Sequence, residues 1–244
     1  MDNVLVTGAS RGIGLAIAKK LAASGYAVTA VARRGGDELD AAIESRKQET
    51  GGSLRFAAFD LAQIEAIPDF VRQLRRDVGP IYGLINNAGI GTEGLLATMP
   101  TDQIEALLRL NALSPIVLTK YVVRGMMAEG RGRIVNISSI IASTGYNALS
   151  VYGASKAALV GFTKSLSREV GRLGITVNAL APGFIDTEMT RGLDETQRKR
   201  IADRSALRRL AEAEDVAAMA AYLIGETGRN ISGAVMTVDA GATA

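Results

Sequence analysis

The run Val4-Leu5-Val6-Thr7-Gly8-Ala9-Ser10-Arg11-Gly12-Ile13-Gly14 passes from a short apolar stretch through a glycine-rich bend into a segment rich in Ala and Leu. A brief apolar run ending in such a bend reads as a strand buried on both faces, followed at once by a helix. The glycines have separate physical uses. Gly8 permits a tight exit from the strand, Gly12 lets a pyrophosphate approach the backbone, and Gly14 lets helix and sheet pack closely. The spacing is G-x3-G-x-G rather than G-x-G-x-x-G. An ordinary strand-to-helix turn can also be glycine-rich. Position directly after the first strand favours the phosphate-binding reading, in which Ser10, Arg11 and Ile13 join the three glycines.

Outward from this turn, short Val/Ile/Ala-rich runs alternate with helical stretches to the end of the chain. Strands are predicted at Asn3 to Thr7, Ala27 to Ala32, Leu54 to Phe59, Gly83 to Asn86, Gly132 to Ser138, Thr176 to Ala181 and Ala234 to Val238. Helices are predicted at Ile13 to Ser24, Glu38 to Thr50, Ile64 to Val78, Thr101 to Glu129, Val151 to Gly171 and Ala213 to Gly225, with a shorter one near 195 to 203. Ser24-Gly25 suits the close of the first helix, and Pro100-Thr101-Asp102 suits the opening of the fourth. No repeat or linker divides the chain. The expectation is an α/β fold: one doubly wound Rossmann-type domain over residues 1–244, a seven-stranded parallel sheet with helices on both faces, and ligands at the carboxyl ends of the strands.

The chain has 244 residues, 48% of them apolar and 22% charged, with no His and no Cys. It therefore cannot build a Ser-His-Asp or Cys-His nucleophile, a thiolate or imidazole zinc site, or a disulfide. Acid-base chemistry falls to Asp, Glu, Lys or Tyr, and no metal site is expected. Absence of Cys fits a reducing, cytoplasmic setting. Met1-Asp2 lacks the basic start of a signal peptide, and Ile134 to Ser155, uncharged but broken by polar residues and Gly, does not suit a membrane span. The net charge of +3 is local: residues 194 to 210 hold Arg198, Lys199, Arg200, Arg204, Arg208 and Arg209 against Asp194, Glu195 and Asp203. With no aromatic residue interleaved, this segment reads as a solvated loop and helix near an anionic ligand rather than a nucleic-acid patch.

The second strand ends Val31-Ala32-Arg33-Arg34, without the acidic residue that usually holds the ribose hydroxyls of NAD. Arg33 can instead meet a 2'-phosphate, with Arg11 closing from the glycine-rich turn, so the expected cofactor is NADP(H). The competing reading makes Arg33 and Arg34 solvated loop residues.

Tyr152 and Lys156, four apart in a predicted helix, share a face. An ammonium near a phenol favours phenolate and is expected to lower its pKa toward the range useful for general acid-base work. Ser139, ending the fifth strand, falls at the same sheet edge as the glycine-rich turn. Its alternative reading is a hydroxyl that satisfies nearby backbone groups.

Thr7-Gly8-x3-Gly12-x-Gly14, Asn86-Asn87-Ala88-Gly89, Asn111, Ser139, Tyr152-x3-Lys156 and Pro182-Gly183 stand in the order and spacing of the short-chain dehydrogenase/reductases, which the chain resembles along essentially its whole length. Within that family the stretch Asn178 to Thr190 is most similar to the 3-oxoacyl-[acyl-carrier-protein] reductases. The resemblance implies that Tyr152 protonates the nascent alkoxide, that Lys156 lowers its pKa and holds the nicotinamide ribose, and that Ser139 binds the substrate carbonyl. Asn111 would open the fourth helix to hold a relay water. Asp60 would accept from the adenine amino group beside Leu61. Asn87, Ala88 and Gly89 would line the cofactor, and Pro182, Gly183, Ile185 and Thr187 would cradle the nicotinamide.

The activity implied is NADPH-dependent reduction of a 3-oxoacyl thioester, on acyl-carrier protein or coenzyme A, by a homotetramer, with a substrate loop at about 188–210. Neither nucleic acid nor membrane is an expected partner. Reduction of another ketone, sugar or polyketide intermediate is the alternative, and a non-catalytic NADP-binding regulator a further one. Arg124, Arg131, Arg168 and Arg172 are the candidates for docking an acidic carrier. The chain departs from the family at Asp239-Ala240-Gly241, where a Gly pair is frequent. The small residues Ala154, Ala157, Ala158, Gly161 and Ser165 offer a face for a second helix or for the chain's own sheet.

Overall fold

The computed structural model describes residues 1–185 and 195–244. In chain order the main elements are β1 (Asn3–Thr7), α1 (Gly12–Ala23), β2 (Ala27–Ala32), α2 (Asp37–Lys47), β3 (Ser53–Ala58), α3 (Ile67–Val78), β4 (Ile81–Asn86), α4 (Thr101–Leu108), α5 (Ser114–Glu129), β5 (Gly132–Ile137), α6 (Ile141–Thr144), α7 (Ser150–Val170), β6 (Ile175–Pro182), α8 (Glu195–Arg204), α9 (Ala213–Ile224) and β7 (Val235–Val238). The seven strands form one sheet in the order β3-β2-β1-β4-β5-β6-β7, and every pairing is parallel. The chain begins in the middle, winds outward to β3, then crosses to β4 and winds the other way. Its switch point lies between β1 and β4, where the loops leaving the two carboxyl ends diverge and a ligand crevice opens.

Alternation along β1 shows how the two layers are filled. Val4 and Val6 point into one core with Ile17 and Leu21 of α1, Leu39 of α2 and Leu223 of α9. Leu5 points into the other with Ile67 and Val71 of α3, Leu118 and Val122 of α5 and Leu166 of α7. Successive strand side chains face opposite sides, so a strand sandwiched between helices must be apolar throughout. Fully burying one such Leu or Ile is worth about 1.5–3 kcal/mol, an upper estimate because denatured chains already hide some surface.

Several boundaries differ from the sequence reading for identifiable reasons. The helix expected from Thr101 to Glu129 is interrupted by a π turn over Arg109–Leu113. Pro115, in the first turn of α5, lacks an N–H and its ring crowds the carbonyl four residues back, that of Asn111, so the helix widens there. This stretch is long and apolar enough to span a membrane, yet Leu118, Val122 and Met126 are packed against the sheet. Pro68 similarly leaves a 3-10 turn at Ile64–Ala66 before α3. The expected side-chain cap at α4 is not formed by its N-cap Pro100; Asp102 accepts from the Gln103 N–H instead (2.9 Å). At α9 a reciprocal capping box joins Glu212 and Asp215. After β7, Ala240 adopts φ +55°, a left-handed conformation that suits Gly better than Ala.

Candidate active site

The glycine-rich turn is held from two sides. Gly8 takes φ +64° and donates its N–H to the Val31 carbonyl at 2.7 Å. A Cβ on Gly14 would stand 2.3 Å from the Gly8 carbonyl oxygen, so no side chain fits between helix and turn. From the next strand, the Asn87 amide donates to the carbonyls of Thr7 (2.9 Å) and Gly8 (3.1 Å). Thr7 Oγ1 accepts from the N–H groups of Asn87 (2.9 Å) and Ala88 (3.0 Å) and donates to the Ile85 carbonyl (3.2 Å). Helix α1 then starts at Gly12, φ +56°, with no side-chain cap and no acidic residue in its first turn. A helix N-terminus arranged in this way leaves its dipole to an anion from outside the chain, and the cradle fits a dinucleotide pyrophosphate.

Across the switch point, β5 and α7 set three polar side chains together. Tyr152 and Lys156 lie one helical turn apart, with the ammonium 5.7 Å from the phenol ring centre. The Lys156 ammonium donates to the Ile137 carbonyl at 2.9 Å, while Ser138 Oγ donates to the Lys156 carbonyl at 2.9 Å. Ser139 Oγ accepts from the Ile141 N–H at 3.2 Å, and the Ser139 and Tyr152 hydroxyls line the same cleft. Ser139 thus satisfies a backbone N–H, as its alternative reading expects, while its hydroxyl remains on the cleft wall.

The electrostatics correct the expectation that Lys156 lowers the Tyr152 pKa. Burial raises the phenol above its ordinary value, and the nearby Ser139 hydroxyl offsets only part of that rise. The ammonium is aimed at the Ile137 carbonyl, and its own burial pushes it down to about 8. Desolvation outweighs charge attraction here because both groups sit in the same poorly hydrated layer.

Asn111, fully buried, lies in the π turn. Its amide brackets Ile90, accepting from the Ile90 N–H (2.9 Å) and donating to the Ile90 carbonyl (2.8 Å), with a longer bond to Ser155 Oγ (3.3 Å). A Cβ added to Gly89 would stand 3.1 Å from Asn111 Oδ1 and 3.5 Å from Lys156 Nζ. The bare Gly89 therefore leaves open the space on which these two polar groups converge.

The short chain dehydrogenase family matches this chain over residues 2–198. The chain belongs to that family. It is 40% identical over 239 residues to the 3-oxoacyl-[acyl-carrier-protein] reductase FabG of Escherichia coli (strain K12), covering 97% of this chain and 95% of that protein. The FabG of Pseudomonas aeruginosa is 38% identical with the same coverage. Among solved structures, a gluconate 5-dehydrogenase from Burkholderia cenocepacia J2315, in complex with NADP and tartrate, superposes with a TM-score of 0.93 at 30% identity, covering 99% of this chain and 95% of that one. A dehydrogenase/reductase from Sinorhizobium meliloti 1021 superposes with a TM-score of 0.90 at 33% identity, covering 100% and 95%. As a short chain dehydrogenase the protein is an oxidoreductase that interconverts CH–OH and C=O groups.

In this short chain dehydrogenase a cleft of about 520 Å³ gathers Ser139, Tyr152 and Lys156 with Ile13, Asn87, Gly89, Pro182, Gly183 and Ile185. The other sequence-predicted residues lie further along the carboxyl edge. Arg11 is the exposed N-cap of α1 and Arg33 is exposed just beyond β2. Asp60 accepts from the Ala62 N–H at 3.0 Å beside buried Leu61. Thr187, and residues 188–194 of the expected substrate loop, lie outside the described residues. Sequence reasoning missed Glu93, Leu149, Phe184 and Gln197, which also line the cleft. Glu93, Leu149 and Phe184 sit on loops and Gln197 on the short helix α8, and no residue type or spacing among them points to the cleft. Of the carrier-docking candidates, Arg131 and Arg172 adjoin the start of β5 and the end of α7, at the amino edge opposite the cleft. Arg131 is engaged there by Asp2 and the Tyr82 ring.

Proposed function

We propose that the protein reduces 3-oxoacyl thioesters to 3-hydroxyacyl thioesters with NADPH. The observation that carries the chemistry is the Ser139–Tyr152 hydroxyl pair set in the cleft over buried Lys156. The substrate class is supported by the FabG relatives. When bound, NADPH supplies a hydride to the carbonyl carbon. Ser139 orients the carbonyl oxygen by hydrogen bonding, and Tyr152, kept protonated at neutral pH by burial, gives its proton to the alkoxide that develops there. Lys156 holds the floor of the site and, with a pKa near 8, exchanges protons near neutrality. Asn111, already bonded to both polar groups of Ile90, fixes the loop beside them. Gly8, Ser10, Arg11, Gly12, Ile13 and Gly14 hold the pyrophosphate, and Arg33 selects the 2'-phosphate. Asp60 and Leu61 hold the adenine, while Asn87, Ala88, Gly89, Pro182, Gly183, Ile185 and Thr187 hold the nicotinamide side.

The same reading makes the enzyme a cytoplasmic homotetramer. Ala154, Ala157, Ala158, Gly161 and Ser165 are all exposed on α7, which leaves that face to a second helix rather than to the chain's own sheet. Acyl-carrier protein is the proposed carrier, by way of the FabG relatives. The likeness to a gluconate 5-dehydrogenase supports a second reading, oxidoreduction of a polyol acid. NADPH oxidation at 340 nm with acetoacetyl-CoA, run beside NADH, tests the first reading. NADPH-dependent turnover is expected, and tight NADPH binding without thioester turnover overturns it.

A further inference from the structure

We infer that Glu93 is a charge filter at the mouth of the cleft. It turns away ketones that carry a carboxylate beside the reacting carbonyl and admits neutral 3-oxo esters and thioesters. The inference rests on the 3-oxoacyl reading of the site and names what that site excludes.

Among the described residues, the only charged side chains lining the cleft are Glu93 and Lys156. Lys156 spends its ammonium on the Ile137 carbonyl. Glu93 has no ion pair or side-chain hydrogen bond to the described residues, so its field is not cancelled by a close partner. The position of its loop is fixed. The Gly94 N–H donates at 3.0 Å to the carbonyl of Ala148, which is itself held at φ +63°. That bond ties the loop bearing Glu93 to the segment leading into α7 and the Tyr152 hydroxyl.

The walls near this carboxylate are apolar. Leu149 and Phe184 line the cleft, and Tyr146 packs edge-on against Phe184 with ring centres 5.7 Å apart. Further along the Glu93 loop, Leu95 and Leu96 stand 59% exposed. Leu149 and Phe184 reward an apolar tail and offer a carboxylate no hydrogen-bonding side chain on that part of the wall. Glu93 itself is exposed, so a carboxylate a few ångströms from it meets a modest repulsion that salt weakens. Helix α8, whose Gln197 lines the cleft, also carries Arg198, Lys199, Arg200 and Arg204, a cationic stretch suited to a phosphate on the carrier arm.

Acetoacetate and ethyl acetoacetate isolate the effect, because both present the same ketone and differ in the charge next to it. The kcat/KM ratio of ester to acid is measured with NADPH for the full chain and for Glu93→Gln and Glu93→Lys, in dilute buffer and at high salt. The unsubstituted enzyme is expected to prefer the ester. Glu93→Gln narrows the ratio about 3- to 10-fold in dilute buffer and less at high salt, and Glu93→Lys narrows it further. A fold defect alone lowers both rates and leaves the ratio and its salt dependence in place. Turnover with a ratio unchanged in both variants overturns the charge filter alone. NADPH binding without turnover of either compound or of acetoacetyl-CoA overturns the 3-oxoacyl reading, and the filter with it.

Discussion

The Lys156 ammonium donates to the main-chain carbonyl of Ile137 at 2.9 Å, and the same lysine's carbonyl accepts from Ser138 Oγ at 2.9 Å. Helix α7 is thereby pinned to the end of β5 at two points on one residue. The pin carries a buried charge whose pKa falls from 10.5 to about 8. Between those values the unfolded chain binds the proton and the folded chain does not, so stability must rise with pH across this window. From pH 7 to 9.5 the gain is roughly 2 kcal/mol, and Lys156→Met should abolish it. Urea melts of both proteins at the two pH values check this. An equal pH response in the variant would locate the gain elsewhere. Tyr26, Tyr82 and Tyr152, whose pKa values are raised above 10, act only at higher pH and with the opposite sign.

Tyr152→Phe removes the proposed proton donor while keeping the ring. We expect kcat on acetoacetyl-CoA to fall by about 10²–10⁴. NADPH affinity, followed by quenching of nucleotide fluorescence, should stay within a few-fold. Equal loss of binding and turnover would instead make the phenol a part of the cofactor cradle.

Arg33 is exposed beyond β2, with no hydrogen bond or ion pair to the described residues. Arg33→Ala should weaken NADPH binding by about 10- to 100-fold and leave NADH binding nearly unchanged, because a charge-assisted bond to phosphate is worth about 1.5–3 kcal/mol. Calorimetric titration with both nucleotides reads the difference. A parallel loss for both would return Arg33 to the solvated-loop reading.

Gly14→Ala would drive a methyl group to within 2.3 Å of the Gly8 carbonyl oxygen. That contact cannot be tolerated without shifting α1 away from the turn. A stability loss of about 1–3 kcal/mol is expected, together with loss of nucleotide binding. Thermal melts with and without NADPH separate the two effects.

Ala240→Gly works in the opposite direction. Ala240 holds φ +55° in a turn where Asp239 accepts from the N–H groups of Gly241 and Thr243, both at 2.9 Å. Glycine relieves the left-handed strain but adds freedom to the unfolded chain, so the net gain is modest, about 0.5–1 kcal/mol. Differential scanning calorimetry would show it as a small rise in Tm.

Much of the site was legible because its parts are local. The glycine-rich turn, the missing acid after Ala32, and the spacing from Tyr152 to Lys156 each lie within one turn or one helix. What escaped was built from main-chain atoms of distant segments. Nothing in the residue Ile137 announces that its carbonyl will hold an ammonium, nor in Ile90 that both its polar groups will be bracketed by Asn111. The π turn did have a local signal, Pro115, which the helical periodicity on both sides obscured. The buried pairs Asn86–Asn136 (2.8 Å) and Asn136–Thr163 (2.8 Å) had none, because they depend on β4 and β5 running side by side under α7.

By itself, the sequence determined the alternation of strands and helices, the parallel sheet buried on both faces, and the residue types available for chemistry without histidine or cysteine. These follow from period, composition and turn chemistry, which act over a few residues. Only the tertiary structure decided the direction of the pKa shifts and the apolar, acid-guarded shape of the cleft. Desolvation and field depend on what surrounds a group in space, and those neighbours come from β4, β5, α7 and the loop bearing Glu93, far apart along the chain.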